Sequence, residues 1–321
     1  MQILQLLSEL THTTIVFATA LVFASLGGLF SERAGVVNIA LEGLMTVGAF
    51  TAAIVTYFAE TQLHLGALSP WIGFLAAIVA GTLFSLPHAV ASVNFKADQV
   101  VSGVALNFLA IGLSIYLCKE LLHGSAQTPT LQHVLSKWDI PLLSKIPYLG
   151  HAVFSAYPTS YLAFLLVALS AFVLYKTSFG LRLRAVGEHP KAADSLAINV
   201  FKMRYIAVMA SGALAAMGGA TIALTTTSNF SHSTISGQGY IALAALIFGK
   251  WRPVAGMFAA LFFGIASALK SVFQLYGITN YIPVDFIYIF PYALTILILA
   301  GFVGKAVAPA AAGKPYEKGQ R

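Results

Sequence analysis

Two polar side chains stand inside an otherwise apolar stretch close to the start of the chain. Asn38 and Glu42 are four residues apart, so on a helix they would lie on one face. A carboxylate within an apolar segment is costly to bury and usually faces a cavity or a partner. Gly35 and Gly43 allow irregular backbone here, and a broken segment is expected near 34–43. Glu42 could contact a bound molecule, or it could bond the N–H groups of the broken helix.

A second polar group lies further along, again among apolar residues. Ser102 follows a polar entrance at Asp98, and Asn107 lies deeper in the same predicted helix. A single asparagine in such a helix more often ties two helices together than binds a ligand. Both roles are kept open, and Asn38, Glu42, Ser102 and Asn107 are the candidate residues of a substrate path.

The basic loop 176–201 carries the most informative pattern. Pro190 suits the first turn of a helix, because its missing N–H costs nothing there. Ala193, Leu196 and Ala197 then form a small apolar stripe. A two-turn amphipathic helix is marginal alone, but it could seat in the groove of a soluble partner. The alternative is an interfacial helix that lies on anionic lipid.

The sequence lacks the patterns of hydrolytic, metal and redox chemistry. No Gly-x-x-x-x-Gly-Lys-Ser/Thr phosphate loop and no Gly-x-Ser-x-Gly elbow occurs. The 8 histidines show no metal-ligand spacing, and the lone Cys118 cannot form an internal disulfide. We therefore predict no catalytic residue, no metal and no cofactor, and any ATP hydrolysis would belong to a separate subunit.

Composition decides which elements must position these residues. The chain is 58% hydrophobic and 9% charged, whereas a soluble domain has roughly a quarter charged residues. Most of its exterior must therefore face lipid, and we predict an all-α, polytopic transmembrane bundle of about nine spans, a single domain over 1–321. The candidate spans are 11–30, 34–59, 70–93, 101–122, 156–175, 202–227, 254–274, 283–303 and a shorter, broken or re-entrant piece at 236–249.

Charge placement gives the expected orientation. With the loop 176–201 in the cytoplasm, most of the 18 Lys and Arg residues fall on the cytoplasmic side, as the positive-inside rule requires. The segment 304–321 becomes a basic cytoplasmic tail, and 123–156 becomes a long extracytoplasmic loop suited to meeting something outside the membrane. The net charge of +7 is then an orientation signal that needs no nucleic-acid partner.

Three stretches together resemble one protein family. They are residues 32–43 (ERAGVVNIALEG), 101–107 (VSGVALN) and 184–194 (RAVGEHPKAAD). The chain is similar, from about 13 to 303, to the ABC-importer permeases that serve branched-chain amino acids, simple sugars and nucleosides. It most resembles the shorter permease of nucleoside importers that use a basic-membrane-protein-type receptor. The family usually has Gly where Ser31 stands and Asn where His189 stands.

The resemblance implies a set of partners and roles. It implies a coupling helix within Gly187 to Ile198 that docks on an ATPase subunit, with contact residues Gly187, Glu188, Pro190, Ala192, Ala193, Asp194 and Leu196. It also implies a heterodimer with a second, longer permease, an extracytoplasmic substrate-binding lipoprotein, and a place in the inner (plasma) membrane with a cytoplasmic C-terminus. The implied ligand is a nucleoside.

Two alternatives to a nucleoside importer remain open from the sequence. A simple-sugar or branched-chain amino acid permease of the same family would show similar chemistry in its sequence. An ion-coupled secondary transporter would need a titratable or cation-binding cluster at mid-membrane, and the single carboxylate of Glu42 is weak support for one.

Overall fold

A computed structural model describes residues 2–141, 143–275 and 307–318, together with the isolated positions 286, 289 and 293. The predicted span 283–303 lies otherwise outside these ranges. The elements in chain order are α1 (Gln2–Arg33), α2 (Leu41–Thr61), α3 (Ser69–Phe84), α4 (Leu86–Ala89), α5 (Gln99–Leu121), β1 (Trp138–Asp139), α6 (Leu149–Val153), β2 (Ser155–Ala156), α7 (Pro158–Lys176), α8 (Ser178–Glu188), α9 (Pro190–Ser195), α10 (Val200–Thr221), α11 (Gln238–Phe248) and α12 (Pro253–Leu275).

The predicted transmembrane helix bundle is confirmed. Among the described residues, 6 helical segments are long and apolar enough to cross a bilayer. The segments that contain α1 and α2 are each 78% buried within the protein, whereas those of α5 and α7 are 28% and 33% buried. The helix α10 packs against α1, α2 and α3. The centre of the bundle is therefore α1, α2 and α10, and α3, α5 and α7 turn apolar faces outward.

The predicted break in the polar N-terminal segment is present. Helix α1 ends at Arg33, α2 begins only at Leu41, and residues 34–40 between them have no regular structure. Gly35 has a φ of +86°, a conformation that side chains with a Cβ rarely adopt. The predicted span 34–59 therefore starts seven residues too early, because its apolar composition conceals a non-helical approach to α2.

The short apolar piece near 236–249 is half of a broken crossing. Helix α11 has 11 residues, or about 16 Å of length, against a hydrocarbon core of about 30 Å. Residue Phe230, before it, exchanges hydrogen bonds with Thr128 in the loop at one end of the bundle. Trp251, after it, contacts Arg33 at the opposite end. The stretch 228–248 therefore runs between the two ends, partly as irregular backbone and partly as α11.

The long loop 123–156 folds onto the end of the bundle opposite to Arg33 and Trp251. Strands β1 and β2 form an antiparallel pair within it. The buried Glu60 carboxylate, at the end of α2, accepts hydrogen bonds from the backbone N–H groups of Gln132 (3.2 Å) and His133 (3.0 Å). This loop is an ordered cap over the described part of that end.

Close backbone contact between α2 and α10 depends on glycine. A Cβ placed on Gly219 would lie 1.8 Å from the carbonyl oxygen of Met45, and one on Gly48 would lie 2.3 Å from that of Ala216. Real atoms do not approach so closely, so the two helices could not keep their separation with alanine there. Glycine at these two positions therefore serves helix packing.

We expect Gly219→Ala to lower the thermal unfolding midpoint of the detergent-solubilised protein. The added methyl group must push α10 from α2, and overpacking of this kind costs about 1–3 kcal/mol. Gly112→Ala is the matched control, because a Cβ at Gly112 in α5 meets nothing within 4 Å. It should leave the midpoint unchanged or raise it slightly, since alanine favours helix. Equal effects of the two substitutions would contradict the close contact.

Candidate functional site

Asn38 fixes the broken segment to the central helix α10. Its side chain is completely buried, and its Nδ2 donates to the hydroxyl oxygen of Ser211 at 2.7 Å. Its Oδ1 accepts from the backbone N–H of Ala40 at 3.1 Å, just before α2 begins. Both ends of the amide therefore have partners, and Asn38 sets the course of the chain from α1 into α2.

Glu42 holds the first turn of α11. One carboxylate oxygen accepts from the N–H of Gly237 at 2.6 Å, and the other accepts from the N–H of Gly239 at 2.7 Å. Gly237 has a φ of +89°, and a Cβ on Gly239 would lie 2.4 Å from the backbone nitrogen of Glu42. The carboxylate therefore satisfies N–H groups that a helix leaves unpaired at its N-terminus.

Asn107 brings α5 to the same place. Its Oδ1 accepts from the N–H of Gly43 at 2.7 Å, and its Nδ2 donates to the carbonyl of Ile39 at 3.0 Å and to the hydroxyl of Tyr240 at 3.1 Å. Tyr240 is 48% exposed although it belongs to α11. Because its oxygen accepts from Asn107, its own proton remains available to a further acceptor.

Ser102 reaches the break through a histidine. Its hydroxyl lies 3.0 Å from Nδ1 of His88, and Nε2 of His88 lies 3.1 Å from the carbonyl oxygen of Val37. The N–H of Val37 donates to the side chain of Gln99 at 2.7 Å. A donor is required toward the carbonyl of Val37, so Nε2 carries the proton and Nδ1 accepts from Ser102.

The four predicted path residues therefore meet around the break at 34–40 and the first turn of α2. Asn38 lies in the break and Glu42 in that first turn, and Asn107 and Ser102 reach this region from α5. Sequence reasoning did not single out four of their partners, which are His88, Gln99, Ser211 and Tyr240. His88 and Gln99 carried a usable signal, since each is a polar residue at or within an apolar span; Ser211 and Tyr240 did not.

The N-terminal side of the break is tied to the turn that follows α11. Nε1 of Trp251 donates to the buried Glu32 carboxylate at 2.5 Å. The guanidinium of Arg33 donates to the carbonyl oxygen of Trp251 from Nε at 2.9 Å and from Nη2 at 2.6 Å. These bonds fix the end of α1 and the start of α12 relative to one another.

The predicted coupling segment, Gly187 to Ile198, lies directly against this junction. A Cβ on Gly187 would lie 2.1 Å from the carbonyl oxygen of Arg33, so the end of α8 touches the end of α1. The exposed Glu188 carboxylate lies 3.9 Å from Nη1 of Arg33. Movement of α8 would therefore reach the flank of the break through one layer of contacts.

Helix α9 starts at Pro190, as the sequence predicts, but it spans only 6 residues. Its apolar stripe is split between two environments. Ala193 is 2% exposed and packs inward, whereas Leu196 is 77% exposed. Ala192 is exposed, and the carboxylate of Asp194 bonds the hydroxyl of Tyr316. The outward apolar side chain of this segment is therefore Leu196.

The described polar side chains around the break hold backbone segments and one another in place. The carboxylates of Glu32 and Glu42 both accept hydrogen bonds from within the protein. Across the described residues, no group of three His, Cys, Asp or Glu side chains is placed to hold a metal ion. Amides, hydroxyls, the imidazole of His88 and the two bonded carboxylates are the polar groups near the break.

A chain that crosses the membrane many times around such a polar break is a transport-type membrane protein. A family model described as the permease component of branched-chain amino acid transport systems matches residues 10–299. The match covers most of the chain, and the protein therefore belongs to this permease family.

Curated relatives agree with the family. The chain is 52% identical to the guanosine ABC transporter permease protein NupQ of Bacillus subtilis, over the full length of both. It is 43% identical to the nucleoside ABC transporter permease protein NupC of Lactococcus lactis, over 99% of both. It is 24% identical to NupP, another guanosine ABC transporter permease protein of B. subtilis, over 78% of this chain and 70% of that one. No solved structure matches the chain.

Proposed function

We propose that this protein is a transmembrane permease subunit of an ATP-binding-cassette importer for nucleosides. The observation that carries the proposal is the 52% identity, over its whole length, to a permease named for guanosine. Composition supports the same function, since the chain is mostly membrane-embedded and contains no phosphate loop of its own. ATP hydrolysis is assigned to a separate ATPase subunit.

We infer that the remaining partners are a second permease and an extracytoplasmic receptor. B. subtilis has two different guanosine ABC transporter permeases, NupQ and NupP, and this chain is similar to both. A heterodimer would cover part of the apolar surface on α3, α5 and α7. We assign the loop 123–156 to contact with the receptor lipoprotein. In that orientation the loop lies outside the plasma membrane, and the coupling segment and the C-terminus lie in the cytoplasm.

The substrate path is assigned to the surface of the break beside α5 and α11. Asn38, Glu42, Ser102 and Asn107 shape this surface by their bonds to backbone and neighbouring side chains. Tyr240 is half-exposed, and its hydroxyl retains a proton that could be donated to a neutral, oxygen- and nitrogen-rich ligand. A nucleoside has such acceptors and a flat base for an aromatic ring.

Coupling is assigned to the segment Gly187 to Ile198. The ATPase would move α9 and α8, and the contact of Gly187 with the carbonyl of Arg33 would pass that movement to α1 and to the break. Alternating access would follow from the reorientation of the helices on either side of the path. An ion-coupled transporter is less favoured, because both acidic side chains near the break are already bonded within the protein.

The test is uptake into vesicles that hold this chain, the second permease, the ATPase and the receptor. We expect ATP-dependent uptake of guanosine that disappears when the ATPase is omitted, with little uptake of ribose or leucine. Uptake of ribose or leucine in place of guanosine would retain the ABC architecture and move the protein to the simple-sugar or branched-chain amino acid branch. Gradient-driven uptake by this chain alone would contradict the proposal.

A further inference from the structure

The segment 307–318, expected only as a basic tail, is folded against the coupling segment. The N–H of Ala311 donates to the carbonyl oxygen of Gly187 at 2.9 Å. The N–H of Ala310 donates to the carboxylate of Glu188 at 3.2 Å. The start of this segment is therefore bonded to the last turn of α8, directly before α9.

The rest of the segment is anchored to two other elements. Nη1 of Arg204, in α10, donates to the carbonyl oxygen of Lys314 at 3.2 Å, and Arg204 itself is only 1% exposed. The ammonium group of Lys96 lies 2.6 Å from the carboxylate of Glu317. These contacts join the segment 307–318 to α10 and to the irregular stretch that precedes α5.

Tyr316 is the apolar anchor of the segment. It is 6% exposed, and its ring meets that of Phe201 edge-on with centroids 5.7 Å apart. Burial raises the pKa of its phenol, and a hydrogen bond to the Asp194 carboxylate raises that pKa further. The hydroxyl therefore stays protonated at neutral pH and can donate to Asp194.

A cavity of 870 Å³ lies between this segment and α9. One wall is formed by residues 188–192, at the start of α9, and the other by residues 310–311 and 314–317. Charged side chains of both signs line it, among them Lys191, Lys314 and Glu317. The start of α9 therefore faces the anchored segment 307–318 across this cavity.

We propose that the segment 307–318 is the second half of the ATPase docking surface, and this inference rests on the proposed function. Helix α9 has 6 residues, whereas a stable interface buries about 800 Å² on each partner, so α9 alone offers too little surface. The cavity continues that surface outward from α9. Two exposed apolar side chains lie in the same two segments, Leu196 (77% exposed) after α9 and Val307 (80% exposed) at the start of 307–318. The occupant of the cavity is a segment of the ATPase subunit.

Cross-linking from single cysteines separates this inference from the proposed function. In a Cys118→Ser background, a cysteine is placed at Lys191 in α9, at Lys314 in the second wall, or at Lys176, an exposed cytoplasmic-side control away from the cavity. Each variant, assembled with the ATPase, is labelled with a maleimide photo-cross-linker. We expect cross-links to the ATPase from positions 191 and 314 and no cross-link from position 176.

Three other outcomes of the cross-linking experiment would each contradict a stated claim. Cross-linking from 191 without 314 would overturn the composite surface and leave the proposed coupling role intact. Cross-linking from neither position would overturn both. Equal cross-linking from 176 and 314 would show that contact at 314 is not specific, and it would overturn the inference.

A pair of substitutions at Tyr316 tests the anchor. Tyr316→Ala removes the ring from Phe201 and should lower retention of the ATPase on the purified permease about tenfold. Tyr316→Phe keeps the ring and should retain the ATPase, provided both variants insert and elute as single species. Unchanged retention in Tyr316→Ala would overturn the inference. Stronger retention would overturn it too, since the segment would then be a cover that competes with the ATPase.

Discussion

Glu42→Ala is expected to abolish ATP-dependent uptake and to lower the unfolding midpoint of the purified protein. The substitution leaves the buried N–H of Gly239 and the partly buried N–H of Gly237 without their acceptor. Each unpaired buried group costs about 1–3 kcal/mol. The first turn of α11 would lose its attachment to α2, and Tyr240 in that turn would lose its place beside Asn107. Uptake and thermal unfolding of the same preparation measure the two effects.

Two further variants separate the carboxylate's role from stability in general. Glu42→Gln keeps one acceptor oxygen but turns an amide N–H₂ toward the other N–H, so an intermediate loss is expected. Glu60→Ala is the matched control, because Glu60 also accepts two backbone N–H bonds, from Gln132 and His133, far from the break. If Glu60→Ala lowers the unfolding midpoint as much as Glu42→Ala does, that fall belongs to the loss of two N–H acceptors in general. Near-normal uptake in Glu42→Gln would show that the charge is dispensable.

The break itself was predictable because its cause is local. Gly35 and Asn38 place flexible backbone and a polar group within an apolar run, a combination that favours an irregular segment. The helical type of the spans was predictable for a similar reason, since lipid demands long apolar segments. These features depend only on the residues of one segment.

The partners of Glu42 could not be predicted, because they lie 195 and 197 residues away along the chain. A glycine at position 237 or 239 gives no sign of which carboxylate its N–H will meet. The sequence left open whether Glu42 binds a ligand or a broken helix, and its bonds to α11 now favour a structural part in the site. The contact of Asn107 with Tyr240 was hidden in the same way.

The predicted coupling segment shows a second limit on what can be predicted from the sequence. The i, i+3, i+4 spacing of Ala193, Leu196 and Ala197 predicts one apolar stripe on a helix that continues through all three. Helix α9 ends at Ser195, and Ala197 has a positive φ of 61°, so the chain turns before the stripe is complete. The wall formed by 307–318 was also unforeseen, because its anchors at Gly187 and Arg204 belong to distant helices.

Leu196→Asp is expected to eliminate coupled transport while the protein still inserts and folds. Leu196 is 77% exposed, so its removal leaves no cavity, and exposed substitutions usually change stability by within about 0.5 kcal/mol. In the assembled transporter the same side chain would lie in the apolar centre of the ATPase contact. A buried unpaired charge there should cost at least about 2 kcal/mol of docking free energy, the scale of an interface hot spot. Uptake, ATPase retention and unfolding midpoint are measured together.

Leu181→Asp is the matched control for Leu196→Asp. Leu181 is 62% exposed on α8, so it adds the same charge to the same basic loop outside the coupling segment. If the loop merely lies on anionic lipid, Leu181→Asp and Leu196→Asp should impair transport alike, since repulsion from lipid acts on both. If α9 seats in the ATPase, only Leu196→Asp should release the ATPase. Wild-type uptake by Leu196→Asp would remove the coupling role from this segment, and the link from Gly187 through Arg33 to the break would then need another source of movement.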